Sequence, residues 1–131
     1  MKRTVFLMVL CAALTGCGGS DGPKEKYFSG EPVDHWLEGI KSTDAKKRKH
    51  AADVLGNVGQ MDPRAVPALI KAVKDKDAKV RDAAVLGLSK IGEPAAAAET
   101  VLQEALKDKD ATVRTHAASA LERIRGAKWI F

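Results

Sequence analysis

A repeat of 33 residues runs through this 131-residue chain and constrains its fold more than any other feature. Similar residues recur at this offset in six groups of columns, without a gap, over three copies. The columns hold Asp44, Asp77 and Asp110 with Arg48, Arg81 and Arg114; Ala51, Ala84 and Ala117; Leu55, Leu88 and Leu121; Val58, Ile91 and Ile124; Trp36, Leu69 and Leu102; and Ile40, Val73 and Leu106. A fixed period of this length is typical of proteins that stack one small structural unit.

Each unit carries the pattern of two helices, and the second copy shows it most clearly. Apolar residues at spacings of three and four predict a helix A over residues 63–73. The turn over residues 74–77 ends at Asp77, which is a favourable N-cap for a helix B that follows. Gly92 predicts the end of that helix, and Gly59 predicts the end of the equivalent helix one unit earlier.

A single hairpin of this kind cannot bury its apolar face, and about three stacked copies are the practical minimum. We therefore expect one all-α domain over residues 31–131, in which Trp36 lies in the core. The repeats are expected to span about residues 32–60, 63–92 and 96–126. Residues 127–131 are expected to cover the last hairpin as a hydrophobic C-terminal cap.

The first 16 residues have the features of a secretory signal peptide. A basic start precedes an apolar run over residues 5–14, which is too short to span a bilayer, since a spanning helix needs about 20 residues. The segment Leu14-Thr-Gly-Cys17 resembles the lipobox of bacterial lipoproteins, in which the cysteine is lipidated and becomes the new N-terminus. We therefore expect residues 1–16 to be removed and Cys17 to carry a lipid. The alternative is an ordinary secretory signal in which Cys17 is incidental.

Residues 17–30 are small, polar and rich in glycine, which predicts a lipidated cysteine followed by a flexible tether. By resemblance to enterobacterial lipoproteins, Gly18 favours the outer membrane over the inner one, because no Asp follows the cysteine. Without Lys2 and Arg3, 20 basic and 17 acidic residues remain, a net charge of +3 that is weak evidence for an anionic partner. The only other cysteine, Cys11, lies in the signal peptide, so a disulfide framework in the body is excluded.

Residues 62–92 resemble a HEAT repeat, and are most similar to the short bacterial type also found in phycobilisome bilin lyases. The resemblance extends over about residues 32–126. Ankyrin repeats share the 33-residue period, but their Thr-Pro-Leu-His signature does not occur in this sequence. The resemblance implies a right-handed α-solenoid of three helical hairpins, with the A helices outside and the B helices lining a concave face.

The resemblance also implies a structural ladder of charges between repeats. In HEAT families it joins an Asp in the turn to an Arg early in helix B. The matching residues form two pairs, Asp75 with Arg81 and Asp108 with Arg114. In the first unit Ser42 stands where the Asp is expected beside Arg48, so we expect an incomplete ladder there.

Solenoids present extended surfaces made of equivalent positions in successive repeats. Two columns of helix B, just after the repeat Arg, are the candidate partner-binding positions on the concave face. They are Lys49, Asp82 and Thr115 in one column and Asp53, Leu86 and Ser119 in the other. Their chemistry differs between units, so the sequence predicts a protein partner without identifying it. Three repeats favour a transient protein contact over a deep small-molecule pocket.

Patterns for catalysis and metal binding are weak. Some HEAT-like hydroxylases bind iron through His-Glu pairs, but His50 and His116 lie two units apart and neither precedes a Glu. We therefore expect no metal and no cofactor, and histidines that are exposed or half-exposed. No nucleophile elbow, Walker loop or dinucleotide-binding glycine pattern occurs.

The densest basic cluster, Lys46–His50, predicts a solvated start of a helix. Anionic lipid or an acidic envelope protein is the alternative role, and export argues against nucleic acid. Together the patterns predict a monomeric lipoprotein of the cell envelope that binds a protein partner and is not an enzyme. Two alternatives stay open: a lyase-like or metal-dependent HEAT enzyme, or an accessory subunit of one, and a purely structural envelope component.

Overall fold

The computed structural model of the protein describes residues 26–126, which form three successive helical hairpins. The helices are α1 (Val33–Gly39), α2 (Ala45–Val58), α3 (Ala65–Ala72), α4 (Ala78–Ile91), α5 (Glu99–Ala105) and α6 (Ala111–Arg125), with a 3-10 helix (Glu93–Ala98) before α5. The expected all-α solenoid is confirmed. The predicted signal peptide, Cys17 and the C-terminal cap over residues 127–131 lie outside the described residues. Within residues 26–126, no helix is both long and apolar enough to cross a bilayer.

Each B helix (α2, α4 and α6) begins at an aspartate that caps it. The Oδ1 atom of Asp77 accepts a hydrogen bond from the backbone N–H of Lys79 at 2.8 Å. Asp44 and Asp110 accept in the same way from the residue two positions later, at 2.9 and 2.8 Å. Each side chain satisfies an N–H group of the first helical turn that has no partner within the helix. The N-cap predicted at Asp77 is therefore confirmed, and it recurs in every unit.

The columns of the repeat form one apolar core. Leu88 of α4 and Leu69 of α3 are fully buried, and their equivalents in the neighbouring hairpins are buried as well. Trp36 is 8% exposed, which confirms its predicted place in the core. Burial of each large aliphatic side chain contributes about 1.5–3 kcal/mol, so the stacked hairpins share a core that none could build alone.

The B helices pack closely side by side, whereas α1 and α3 make little contact with each other. The closest approach joins Gly56 of α2 to Gly87 of α4, where a Cβ atom on Gly56 would lie 2.5 Å from the Cα of Gly87. A stack whose units lie closer on one side bends toward that side. The B helices therefore line the inner side of the stack.

The two glycines predicted to end B helices act differently. Gly92 has a φ of 71°, the left-handed conformation that favours glycine at the end of a helix. Gly59 has a φ of −61°, which any residue adopts. A Cβ atom on Gly59 would instead collide with the Ile91 side chain of the next repeat. Both helices end at the predicted glycine, but Gly59 lacks the left-handed conformation, and its missing side chain makes room for the neighbouring helix.

A short β-hairpin replaces the last residues that were assigned to the tether. Strand β1 (Tyr27–Phe28) pairs antiparallel with β2 (Glu31–Pro32), just before α1. The backbone N–H of Val33 donates to the carbonyl of Lys26 at 3.1 Å, and the indole Nε1 of Trp36 donates to the carbonyl of Phe28 at 3.1 Å. These bonds tie the hairpin to the core, so ordered structure begins before residue 31.

Candidate partner-binding surface

Two buried arginines join successive repeats through bidentate ion pairs. Arg81 of α4 donates from Nε and Nη2 to the carboxylate of Asp108 in the next repeat, at 2.8 and 2.9 Å. Its Nη1 donates to two backbone carbonyls of its own turn, at 3.0 and 3.2 Å. Arg48 of α2 contacts the carboxylate of Asp75 in the same way, at 2.8 and 3.1 Å. Each guanidinium therefore links its own turn to the turn of the following repeat.

The pairing that the resemblance implied is therefore wrong. The expected pairs, Asp75 with Arg81 and Asp108 with Arg114, lie within one repeat, whereas each carboxylate faces the arginine of the preceding repeat. The reason is that each arginine reaches its own turn through backbone carbonyls, which leaves its other edge for the neighbouring carboxylate. Ser42, in place of the expected Asp, removes no ion pair from the ladder within the described residues, because Arg48 pairs with Asp75. Its Oγ accepts the backbone N–H of Asp44 at 3.2 Å, as Asp75 does for Asp77 at 2.9 Å.

Arg114 lies at the open end of this ladder. Its Nη1 donates to the carbonyls of Asp108 and Lys109 at 2.8 and 3.2 Å. No carboxylate of residues 26–126 pairs with its other edge. Arg114 is exposed, whereas Arg48 and Arg81 are 6% and 5% exposed. The incomplete rung is therefore in the third repeat and not in the first, where it was expected.

The ladder carboxylates are stabilised in their ionised form. Burial opposes ionisation of Asp75 and Asp108, but hydrogen bonds from the arginine and from a backbone N–H outweigh it. The charge of the arginine acts in the same direction, and the pKa of each carboxyl is lowered from its usual value. The ladder is thus a structural device that sets the position of each B helix against the next.

The sequence analysis missed a second charged network, which joins the A-helix ends of the first two repeats. Asp62 precedes α3, is 5% exposed, and accepts from the Arg64 guanidinium at 2.8 Å. Arg64 also donates to the carboxylate of Asp34 in α1 at 2.6 Å. The hydrogen bond from Arg64 lowers the pKa of Asp62, although burial opposes it. The available signal was the Asp-Pro sequence, in which Asp62 also accepts the backbone N–H of Arg64 at 3.0 Å.

The six candidate positions lie on one surface, which we call the B-helix face. It is defined by Lys49, Asp53, Asp82, Leu86, Thr115 and Ser119. Each B helix contributes two positions one turn apart, and the three helices pack side by side, so the positions are contiguous. All six are exposed or half-buried. Because the B helices line the inner side of the stack, this surface is also its concave side.

An ion pair and a side-chain hydrogen bond occupy the charged positions of the B-helix face. The Nζ atom of Lys49 lies 2.7 Å from Oδ2 of Asp53, within α2. Oδ1 of Asp82 lies 2.5 Å from Nδ1 of His116, which joins α4 to α6. Partly exposed ion pairs contribute only about 0–1 kcal/mol to stability. An incoming partner can therefore displace either pair at small cost.

Leu86 is the apolar position of this face, in the middle repeat. Its side chain is 37% exposed, which is unusual for a leucine in a helix that is otherwise well buried. Ser119 is exposed, and the Thr115 hydroxyl donates to the carbonyl of Ala111 at 3.0 Å, so Thr115 is used within its own helix. One exposed apolar side chain therefore lies among polar side chains on this face.

The three histidines serve packing and hydrogen bonding. His35 and His50 meet Trp36 edge-on, with ring centroids 5.0 and 5.2 Å apart. His50 is exposed and His116 is half-buried beside Asp82, in agreement with the expected exposure of both. In the part of the chain that the structure describes, no three His, Cys, Asp or Glu side chains are grouped to hold a metal ion.

Three stacked helical hairpins with an arginine–aspartate rung between successive repeats define a helical-repeat scaffold protein. A family model for HEAT repeats matches residues 33–122, so the chain belongs to the HEAT-repeat family. A comparison with curated proteins gives no match.

Two engineered proteins solved by the Northeast Structural Genomics Consortium are similar in structure. The first crystal structure is 28% identical, with a TM-score of 0.62 over 72% of this chain. The second is 27% identical, with a TM-score of 0.56 over 71% of this chain. This chain covers 45% of the first protein and 27% of the second, so it spans less than half of either.

Proposed function

We propose that this chain is a membrane-anchored lipoprotein of the cell envelope whose HEAT-repeat scaffold mediates a protein–protein interaction. The observation that carries the proposal is the B-helix face, where exposed Leu86 lies among polar side-chain pairs that a partner can displace. The buried rungs of Arg48 and Arg81 hold the B helices in fixed positions. A preformed surface loses little entropy on binding, so a modest area suffices for a specific contact.

Photo-crosslinking in intact cells tests the interaction. A photoreactive amino acid is placed at Leu86 on the B-helix face and, as a matched control, at Leu106 at the end of α5. The two leucines are 37% and 40% exposed, so they differ in position and hardly in accessibility. We expect one stoichiometric partner to be crosslinked from position 86 and not from position 106. Identical products from both positions, or no specific product, would contradict the proposal and favour a purely structural envelope role.

The anchor rests on Leu14-Thr-Gly-Cys17 and on the apolar run before it. A Cys17→Ser variant is expected to lack the lipid and to retain its signal peptide, because the thiol that accepts the lipid is gone. Metabolic labelling with palmitate and the mass of the protein measure both effects. Normal processing together with unchanged membrane partitioning would refute the anchor. In fractionated envelopes, the wild-type protein is expected in the outer membrane, since Gly18 follows the cysteine.

The proposal makes the chain a monomeric binding protein and not an enzyme. The alternative is a lyase-like or metal-dependent HEAT enzyme, or an accessory subunit of one. Metal analysis of the purified protein separates the two. Stoichiometric iron or zinc would overturn the non-enzymatic assignment.

A further inference from the structure

The basic cluster at the start of α2 divides into engaged and unengaged side chains. Arg48 is bound to the carboxylate of Asp75, and Lys49 is bound to that of Asp53. Lys46 and Lys47 are exposed and have no carboxylate partner within residues 26–126. Two cations of the cluster are therefore unneutralised and accessible to solvent.

Lys47 is exposed at a position that is buried in the other two repeats. Its equivalents, Val80 in α4 and Val113 in α6, are fully buried. The equivalents of His50, which is exposed, are Ala83, which is 2% exposed, and His116, which is half-buried beside Asp82. No helix of the described part covers this side of the first repeat. The described stack therefore ends in a charged surface, at a position where the other two repeats have a buried valine.

We call this surface the basic end surface and define it by His35, Lys46, Lys47 and His50, which lie around Trp36. These residues line a shallow cavity of about 590 Å³. The two imidazoles are held edge-on against the Trp36 ring at 5.0 and 5.2 Å.

One acid, Glu38, also lines the cavity, but it is paired with Lys41 at 2.7 Å. The surface thus offers two free ammonium groups beside two positioned imidazole rings. Such a group of donors suits an anionic ligand that bears phosphate.

The choice among anionic ligands rests on the proposed anchor. Lys26 lies nine residues after Cys17, a segment that reaches about 30 Å when extended. The first repeat is therefore the part of the scaffold held nearest the bilayer. Basic residues close to an anionic membrane each strengthen binding by about fivefold. We propose that the basic end surface binds the phosphate headgroups of anionic lipids in the membrane to which Cys17 is anchored.

This contact orients the scaffold. With the first repeat against the headgroups, the stack extends away from the bilayer and the B-helix face stays open to a partner. The lipid-binding surface and the partner-binding surface are formed by different residues, so each is testable without the other.

Nuclear magnetic resonance on the unlipidated mature chain, residues 17–131 with Cys17→Ser, tests the proposal. The probe is dihexanoylphosphatidylglycerol below its critical micelle concentration. Dihexanoylphosphatidylcholine, which has no net charge, is the control. We expect saturable shifts of the backbone amides of Lys46, Lys47 and His50 with the anionic lipid only. A Lys46→Ala and Lys47→Ala double variant is expected to bind at least tenfold more weakly. The matched control, Lys107→Ala with Lys109→Ala, removes the same charge from exposed positions of the third repeat and is expected to bind normally.

Three results would overturn the proposal. Equal shifts with both lipids would exclude a role for headgroup charge, and equal weakening by both double variants would reduce the effect to net charge. Inorganic phosphate or hexaglutamate that binds at the same amides as tightly as the lipid would reassign the surface to a free anion or an acidic protein. Because the probe protein carries no lipid, failure here leaves the outcome of the Cys17→Ser processing experiment unaffected.

Discussion

At the scale of single residues, the ladder arginines show how one side chain type serves two roles. Arg81 is buried with a bidentate carboxylate and two backbone carbonyls, whereas Arg114 keeps the carbonyls and lacks the carboxylate. Removing one partner of a buried ion pair leaves the other charge uncompensated, which costs far more than loss of an exposed contact. The position of each arginine in the stack therefore decides how much it contributes to the free energy of unfolding.

Arg81→Ala is expected to lower the free energy of unfolding by about 3 kcal/mol, because the Asp108 side chain, which is only 12% exposed, is left without its cation. Arg114→Ala, at the equivalent position of the next repeat, is expected to cost less than about 1 kcal/mol. Urea unfolding of the two variants measures both values. Equal losses would show that the arginines act through their own turns and not through the rung between repeats.

The ladder also predicts how stability depends on pH. The pKa values of Asp75 and Asp108 are lowered in the folded state, whereas the pKa of an unfolded aspartate is about 3.9. Their contribution to stability is therefore complete above about pH 4 and is lost as the pH falls through the lower folded-state pKa values. An Asp75→Asn and Asp108→Asn variant is expected to be less stable at pH 7 and to lose less stability between pH 4 and pH 2. A wild-type acid profile in this variant would contradict the account.

At the scale of helices, the repeat columns predicted most of the features that depend on sequence spacing. The six helices, the burial of Trp36 and the cap at Asp77 follow from spacing and local propensity. What the period did not predict depends on neighbours that are distant in sequence. The partner of Arg81 and the reason for Gly59 both lie in the following repeat, and no local pattern distinguishes contact within a repeat from contact between repeats.

Close packing of α2 and α4 gives a prediction for glycine. Gly56→Ala is expected to lower the free energy of unfolding by about 1–3 kcal/mol, because its Cβ would meet the backbone of Gly87 and force the helices apart. Gly126→Ala is the matched control, since a Cβ there meets no atom of residues 26–126 within 4 Å. It is expected to be neutral or to stabilise by up to about 1 kcal/mol. Thermal unfolding compares the two, and a Gly56 variant as stable as the control would refute the close approach.

At the scale of the whole molecule, the stack presents two surfaces of different character. The B-helix face is contiguous because equivalent columns of three packed helices align, and this alignment could be predicted from the sequence alone. The pairing of Asp82 with His116 could not be predicted from the sequence, because it joins residues from neighbouring columns of different repeats. The basic end surface needed the structure as well, since only the structure shows that Lys47 is exposed where the equivalent valines are buried.

The affinity of the crosslinked partner for two leucine variants tests the central claim, that the B-helix face is the binding surface, most directly. Leu86→Glu places a charge at the apolar position of that face, and Leu106→Glu places one at a leucine of similar exposure outside it. Isothermal titration of the purified partner is expected to show at least tenfold weaker binding for Leu86→Glu, a loss of about 1.4 kcal/mol or more, and an unchanged affinity for Leu106→Glu. Equal affinities for the wild type and Leu86→Glu would contradict the claim.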